Sequence, residues 1–469
     1  MWYNCQDKIN HTEYKPTQEF IMHLLRVQVP DFRGLKDIDI TFEKDFVPKI
    51  FPLGSQNGGG KSTLLQLIFV LLHCSGDDDK KPFLENLLQG FKIYDGQEKR
   101  VLAIIDIWDG EKVVQIEFFA YNDSFYQNLL ALDIGNQNEE NIDKPYLNFS
   151  VLRRLKLLIS ERDELIRKNS SLTNPGEVRN NELRIVKLNQ EYTEIKNISQ
   201  KLIDYLEAEN ITYICNYSSK RNSNNKRDEA LLCHVNNIDR EKAEFFLEEL
   251  SAKIFLAAPS TQIFLFLPPD SRKLLFGNSS NRQKNYYAIL ESARSELKGL
   301  FTYDFLAVEL LLESFEAANK RDFKEAIKTG HYGNSYQSLI KELNLLLSNK
   351  RINVNEDLSG VNFQLYNNGE TIELYPEDFS HGELKRLSIY IWLKSRNIED
   401  AIVLMDEIEI AFHPDWQYQI ISDLKEWTPS NQYILATHSY ALCEALTPAH
   451  VKEIEPKLIK QESNITNES

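Results

Sequence analysis

Lys61 ends a glycine-rich run, Leu53-Gly54-Ser55-Gln56-Asn57-Gly58-Gly59-Gly60-Lys61-Ser62-Thr63-Leu64, that follows an apolar stretch and opens another. Glycines let consecutive backbone N–H groups turn inward around an anion. A lysine and a hydroxyl at the start of the next helix suit a chain of phosphates and a divalent cation. The positions this assigns to the cradle are Asn57, Gly58, Gly59, Gly60, Lys61, Ser62 and Thr63. Lys61 would neutralise the outer phosphates and Ser62 would hold Mg²⁺. One position departs from G-x-x-x-x-G-K-[ST]. Ser55 stands where the first glycine belongs and Gly54 comes one residue early, which leaves the turn geometry at Ser55 open.

Three further groups could act with that loop. The apolar run Ala401-Ile402-Val403-Leu404-Met405 ends in Asp406-Glu407, as a buried parallel strand carrying carboxylates at its C-terminal end would. Asp406 then binds Mg²⁺ and Glu407 polarises an attacking water. Upstream, Phe379-Ser380-His381-Gly382-Glu383 opens an apolar helix. Ser380 and Glu383 have the spacing of a capping box. Ser380, Gly382 and Glu383 also have the types and spacing of an ABC signature, which holds the γ-phosphate of a nucleotide bound by another subunit at a helix N-terminus. Both readings stand. Finally, Tyr433-Ile434-Leu435-Ala436-Thr437-His438-Ser439 reads as a strand ending in a lone histidine, a residue that is usually structural; it lies about 30 residues after the acid pair, where an ABC ATPase carries a switch histidine that touches the γ-phosphate and the water.

The elements that must position these groups are legible in outline. Strand patterns occupy 22–30, 37–42 and 50–53, a helix runs from Lys61 to about His73, and strands return at 101–108 and 113–120. Leu152, Leu155, Ile159 and Ile166 fit one helical stripe. Leu188, Ile195 and Leu202 recur every seven residues, with Ile185, Tyr192 and Leu206 beside them, and a breaker spans 169–176. This is either an antiparallel hairpin with coiled-coil seams or two ordinary amphipathic helices. The division expected is an N-terminal lobe over 1–149, a helical hairpin over 150–210, a mostly helical middle region over 211–349 and a C-terminal lobe over 350–469.

Composition narrows the classes. The net charge of -16 over 469 residues argues against binding nucleic acid by bulk electrostatics, though basic segments lie at 218–228 and 272–284. Five scattered cysteines have no metal-ligand spacing, and the longest apolar run, Leu64 to Cys74, is too short to span a bilayer. A cytoplasmic protein with no membrane segment is expected.

Together the four motifs resemble the ABC-type heads of the SMC, RecF and OLD-like class. Phe32-Arg33-Gly34-Leu35 looks like the segment that opens those heads. The run Asp406-Glu407-Ile408-Glu409-Ile410-Ala411-Phe412-His413-Pro414-Asp415-Trp416-Gln417 is similar to the D-E-x-E-x-x-L-H-P-x-x-Q run of OLD-like bacterial ATPases, among them the ATPase subunits of the Septu and PARIS anti-phage systems. The resemblance implies an α/β P-loop NTPase head of ABC/SMC type, an ATPase using ATP and Mg²⁺, with Glu407 and His438 catalytic. It implies partnership with itself, head to head or in a higher oligomer, and with a separate effector such as an HNH or TOPRIM nuclease. OLD nucleases carry a TOPRIM domain after the head, and 31 residues follow His438 here. The Q-loop glutamine has two candidates, Gln115 and Gln127. A DNA-binding repair ATPase and a non-hydrolysing ATP-bound scaffold are the alternatives.

Overall fold

The computed structural model describes residues 22–55, 58–121, 150–170, 174–218, 228–260, 266–268, 288, 291–303, 308–347, 350–355, 360–367, 370–375 and 378–454. Asn57, Gln127 and most of both basic segments lie outside these.

The site is carried by a parallel sheet. Strand β1 is His23–Phe32, β2 Leu35–Thr41 and β3 Ile50–Gly54; helix α1 is Lys61–Cys74 and α2 Lys81–Leu88. Strands β4 (Lys99–Trp108) and β5 (Val113–Tyr121) follow, then helices α3 (Ser150–Asn169) and α4 (Pro175–Ala208) and strands β6 (Ile211–Ser218) and β7 (Asp228–Val235). Beyond them lie α5 (Arg240–Ala252), β8 (Ile254–Ala258), β9 (Leu300–Thr302), α6 (Val308–Thr329), α7 (Ser335–Leu346) and strands β10 to β12 (Lys350–Val354, Val361–Asn367, Glu370–Leu374). The C-terminal part contains α8 (His381–Ser395), β13 (Ile402–Asp406), α9 (Pro414–Trp427), β14 (Gln432–Ala436), α10 (Tyr440–Glu444) and β15 (Lys452–Glu453). The parallel sheet has the order β15-β3-β14-β13-β8-β9, an antiparallel sheet the order β2-β1-β4-β5-β7-β6, and β10 to β12 form a small antiparallel sheet.

Period-two alternation sorts the parallel strands between two cores. Ile402, Leu404, Ile434 and Ala436 face a core shared with α1 and the antiparallel sheet. Val403, Met405, Tyr433 and Leu435 face a second core built with α6 to α9. Helix α1 is apolar on all sides because it is enclosed: from Leu64 to Cys74 every residue is buried.

Helices α3 and α4 pair antiparallel, as Arg154 with Glu191 and Arg184 with Glu161 require. Their buried stripe differs from the expected one. Leu165, not Ile166, closes it with Leu152, Leu155 and Leu158, and Ile166 is 50% exposed. The heptad positions Leu188, Ile195 and Leu202 are buried as their spacing requires.

Beside helices α5 to α7, the middle region also contributes strands. Strands β6 and β7 belong to the antiparallel sheet, and β8 and β9 to the parallel one. Strand β6 hides Ile214, Cys215 and Tyr217 in one core and Ile211 and Tyr213 in another. A strand buried on both faces loses the polar alternation that marks it. Strand β1 also runs past Pro30. Its pairing with β4 ends at Gln28, so Pro30 has no N–H to supply there.

One side chain joins the two large sheets. Gln432 in β14 donates Nε2 to the Leu24 carbonyl at 2.8 Å and accepts the Leu24 N–H at 2.7 Å, both buried. Gln432→Leu would strand both Leu24 backbone groups. We expect an unfolding free-energy loss on the order of 2–4 kcal/mol, read by chemical denaturation. Unchanged stability would mean that the two sheets do not depend on this bond pair.

Candidate functional site

Three neighbouring strands, β3, β14 and β13, deliver the phosphate loop, the histidine and the carboxylates to one edge. Their registers are parallel, Leu53 beside Ala436 and Ala436 beside Asp406, so all three chains leave the sheet at the same level. Thr437 N–H continues the ladder to the Leu53 carbonyl, and Glu407 N–H to the Ala436 carbonyl.

In the loop, Gly58 and Gly60 have φ of 80° and 88°, a region that favours glycine. A Cβ on Gly60 would also meet Leu35 Cδ2 at 2.5 Å, so the residue after the β1–β2 turn floors the loop. Ser55 is not among the left-handed residues. That answers the departure at this position: no glycine is needed, and the serine itself serves the lysine. Lys61 Nζ donates to Ser55 Oγ at 3.1 Å and to its carbonyl at 3.3 Å. The same ammonium lies 3.0 Å from His438 Nε2. Burial holds the Lys61 pKa below its ordinary value, against the pull of Asp406, Glu409 and Glu407. Helix α1 starts at Lys61 with no capping side chain and no acid in its first turn. Its first N–H groups and its dipole are thus left for an anion. Ser62 and Thr63 are half-buried on that turn, and Gly59 is buried.

Asp406 is fully buried, and Ser62 Oγ donates to its Oδ1 at 3.0 Å. Its Oδ2 is buried with no hydrogen-bonding partner among the described residues. Burial pushes the carboxyl up to about 7, Ser62 and Lys61 pull it down, and Glu407 and Glu409 push it further up. An orphaned carboxylate oxygen beside a serine hydroxyl at a phosphate loop fits a hard cation brought in with a nucleotide. Glu407 follows in the left-handed region, φ 52°, and is partly exposed.

Ser380 and Glu383 form the capping box: Ser380 Oγ accepts the Glu383 N–H at 3.2 Å, and Glu383 Oε2 accepts the Ser380 N–H at 2.9 Å. Lys350 holds the same carboxylate at 2.8 Å. Glu383 is therefore engaged within its own chain, while Ser380 is exposed at the tip of α8. Gly382 is buried, and a Cβ there would meet the Ala411 carbonyl at 2.7 Å. Helix α8 thus packs on the turn that follows Asp406.

Two residues at this turn carry no role in the motifs as read from the sequence. Lys385 in α8 is buried and donates Nζ to the carbonyls of Glu407 at 3.0 Å and Ile410 at 3.1 Å, over the Tyr303 ring. Glu409 Oε1 accepts the His438 N–H at 2.7 Å. The D-E-x-E spacing was the available signal for Glu409; Lys385 had none. Of the Q-loop candidates, Gln115 bonds Asp106 in β4 and Asn236 just past β7.

An α/β fold with a phosphate loop at the end of a parallel sheet is what these features define. The chain belongs to the AAA ATPase domain family, which matches residues 22–442. Over 69 residues it is 38% identical to the Retron Vc95 probable ATPase of Vibrio cholerae serotype O1 biovar El Tor, a match covering 14% of this chain and 13% of that protein. Among solved structures it is similar to the Smc head domain of Pyrococcus furiosus with an extended coiled coil, bound to the C-terminal domain of ScpA (14% identity, 90% of this chain and 92% of that one, TM-score 0.32). It is also similar to the SmcHead bound to the C-winged helix domain of ScpA (11% identity, 90% and 91%, TM-score 0.38). A third likeness is to the recombination mediator protein RecF (14% identity, 90% and 94%, TM-score 0.26). No helix among the described residues is long and apolar enough to cross a membrane.

The raised Asp406 pKa has a stability consequence. Below about pH 4 the carboxyl is protonated in both folded and unfolded chains. Between there and about 7 the unfolded chain gives up the proton and the folded one keeps it. The nucleotide-free protein therefore loses stability as pH rises through that window, by on the order of 4 kcal/mol in all. Asp406→Asn removes this slope. Thermal melts from pH 5 to 8 should show the variant gaining on wild type as pH rises; parallel curves would contradict the burial of an uncompensated carboxylate.

Proposed function

We propose that this chain binds and hydrolyses ATP as a switch whose active sites are completed when two copies meet head to head, and that it controls a separately encoded effector in anti-phage defence. The observation that carries the catalytic part is the convergence of Lys61, Ser62, Asp406, Glu407 and His438 at one sheet edge.

On ATP binding, Lys61 exchanges Ser55 and His438 for phosphate oxygens, and the uncapped N–H groups of α1 take the same anion. Ser62 and Asp406 would hold Mg²⁺, whose charge would offset that of the phosphates. Glu407 orients a water and accepts its proton, and His438, released from Lys61, contacts the γ-phosphate. Gly58 and Gly60 give the loop its turns, with Asn57 and Gly59 completing it and Thr63 extending it into α1.

Assembly in trans is supported by the signature. Ser380 is exposed at the tip of α8, and its hydroxyl bonds Glu383 and, among the described residues, nothing of the phosphate loop. The short likeness to the Retron Vc95 probable ATPase and the run from Asp406 to Gln417 support the defence role. A nuclease of HNH or TOPRIM type is the effector class this reading favours. A chain of net charge -16 has little affinity for DNA unless a local basic surface supplies it.

Ser380→Arg should leave ATP binding nearly intact and lower turnover by on the order of a hundredfold, because the blocked surface belongs to the partner's site. Mixed with Lys61→Ala, it makes a heterodimer with one intact composite site, and ATPase activity should reappear. Full activity of Ser380→Arg alone would contradict assembly in trans.

A further inference from the structure

Glu409 occupies a position that the roles above leave unused. It sits in the turn after β13, where its own carbonyl accepts the Phe412 N–H at 2.9 Å and the Glu407 carbonyl accepts the Ile410 N–H at 3.3 Å. That turn is clamped from the signature helix. Lys385 donates to the carbonyls of Glu407 and Ile410, and Gly382 abuts the carbonyl of Ala411, which has φ 72°. The side chain of Glu409 leaves this clamped turn and crosses to the neighbouring strand end, where Oε1 accepts the His438 N–H at 2.7 Å. The histidine so held places Nε2 3.0 Å from Lys61 Nζ. One side chain therefore joins the turn under the signature helix to the residue that touches the phosphate-loop lysine.

We propose that Glu409 is a positioning residue: through the His438 main chain it sets where the imidazole stands, and it ties that position to the turn packed on the signature helix. This rests on the ATPase reading above. A carboxylate is suited to the task because a charge-assisted bond to one backbone N–H is stronger than a neutral one. Its second oxygen is buried without a hydrogen-bonding partner among the described residues, a cost that the single bond to His438 must help to offset. Movement of the turn when Ser380 and Gly382 engage a partner's nucleotide is then transmitted to His438.

Three variants test it. Glu409→Gln keeps an acceptor oxygen, Glu409→Asp withdraws it by one methylene, and Glu409→Ala removes it. In the nucleotide-free protein, amide hydrogen exchange at His438 should accelerate about tenfold or more in the alanine and aspartate variants and stay near wild type in glutamine. In turnover, the alanine variant should lose about tenfold or more in kcat with its KM for ATP held within about threefold, and glutamine should restore most of it. In a His438→Ala background, Glu409→Ala should cost nothing further, because the residue acts through that imidazole. Unchanged exchange at His438 in both shortened variants, or losses that multiply in the double variant, would overturn the proposal. Should the alanine variant not fold, the aspartate variant carries the same comparison. Should the wild-type protein prove not to hydrolyse ATP, the proposed function fails while the exchange measurement still decides the role of Glu409.

Discussion

An ammonium and a carboxylate held out of water at the end of a parallel sheet are the constraint that the rest of this structure serves. Neither ion is at ease there: burial lowers the pKa of Lys61 and raises that of Asp406. Their meeting through Ser62, Ser55 and His438 offsets only part of that cost, since one oxygen of Asp406 has no hydrogen-bonding partner among the described residues. A nucleotide with its cation would supply the missing charges of both signs. The price is met elsewhere, in a helix enclosed on every side and strands that fill a core on each face.

Those cores also decide what can move together. Phosphate loop, histidine and carboxylates leave adjacent strands of one ladder, so their backbones are held at a common level. Helix α8 reaches the same edge by another route, through Lys385 on two carbonyls and Gly382 against a third. A glycine at 382 therefore has a reason within its own chain, close packing, beside any that a partner's phosphate would give it. The same holds for Ser380 and Glu383, whose capping box is real and leaves the serine at an exposed tip. The capping box and the signature reading of this motif are compatible.

Much of this was legible because it is local. Glycine, lysine and serine at fixed spacing, an apolar run ending in acids, and a strand ending in histidine each announce themselves within about ten residues. Ser55 looked like a defect because the pattern asks for glycine, whereas the backbone there avoids the left-handed region. The individual strands of the middle region are hard to read in the sequence for a physical reason. Strands β6 and β8 are buried on both sides or between parallel neighbours, and such strands lose the alternation that separates them from helix. Ile166 and Leu165 are adjacent apolar residues, and only the partner helix decides which one turns inward. The contacts of Glu409 and Lys385 join residues more than twenty positions apart, which no spacing rule reports.

The central claim is that Lys61 is the counter-charge of a bound triphosphate, and the most direct test is equilibrium binding of Mg-ATP to wild type and to Lys61→Ala. The account predicts saturable binding by wild type and an affinity lower by on the order of a hundredfold or more in the variant, with the melting temperature of the nucleotide-free variant close to wild type. Equal affinities in two folded proteins would contradict it, since the phosphates would then lie somewhere other than at this loop.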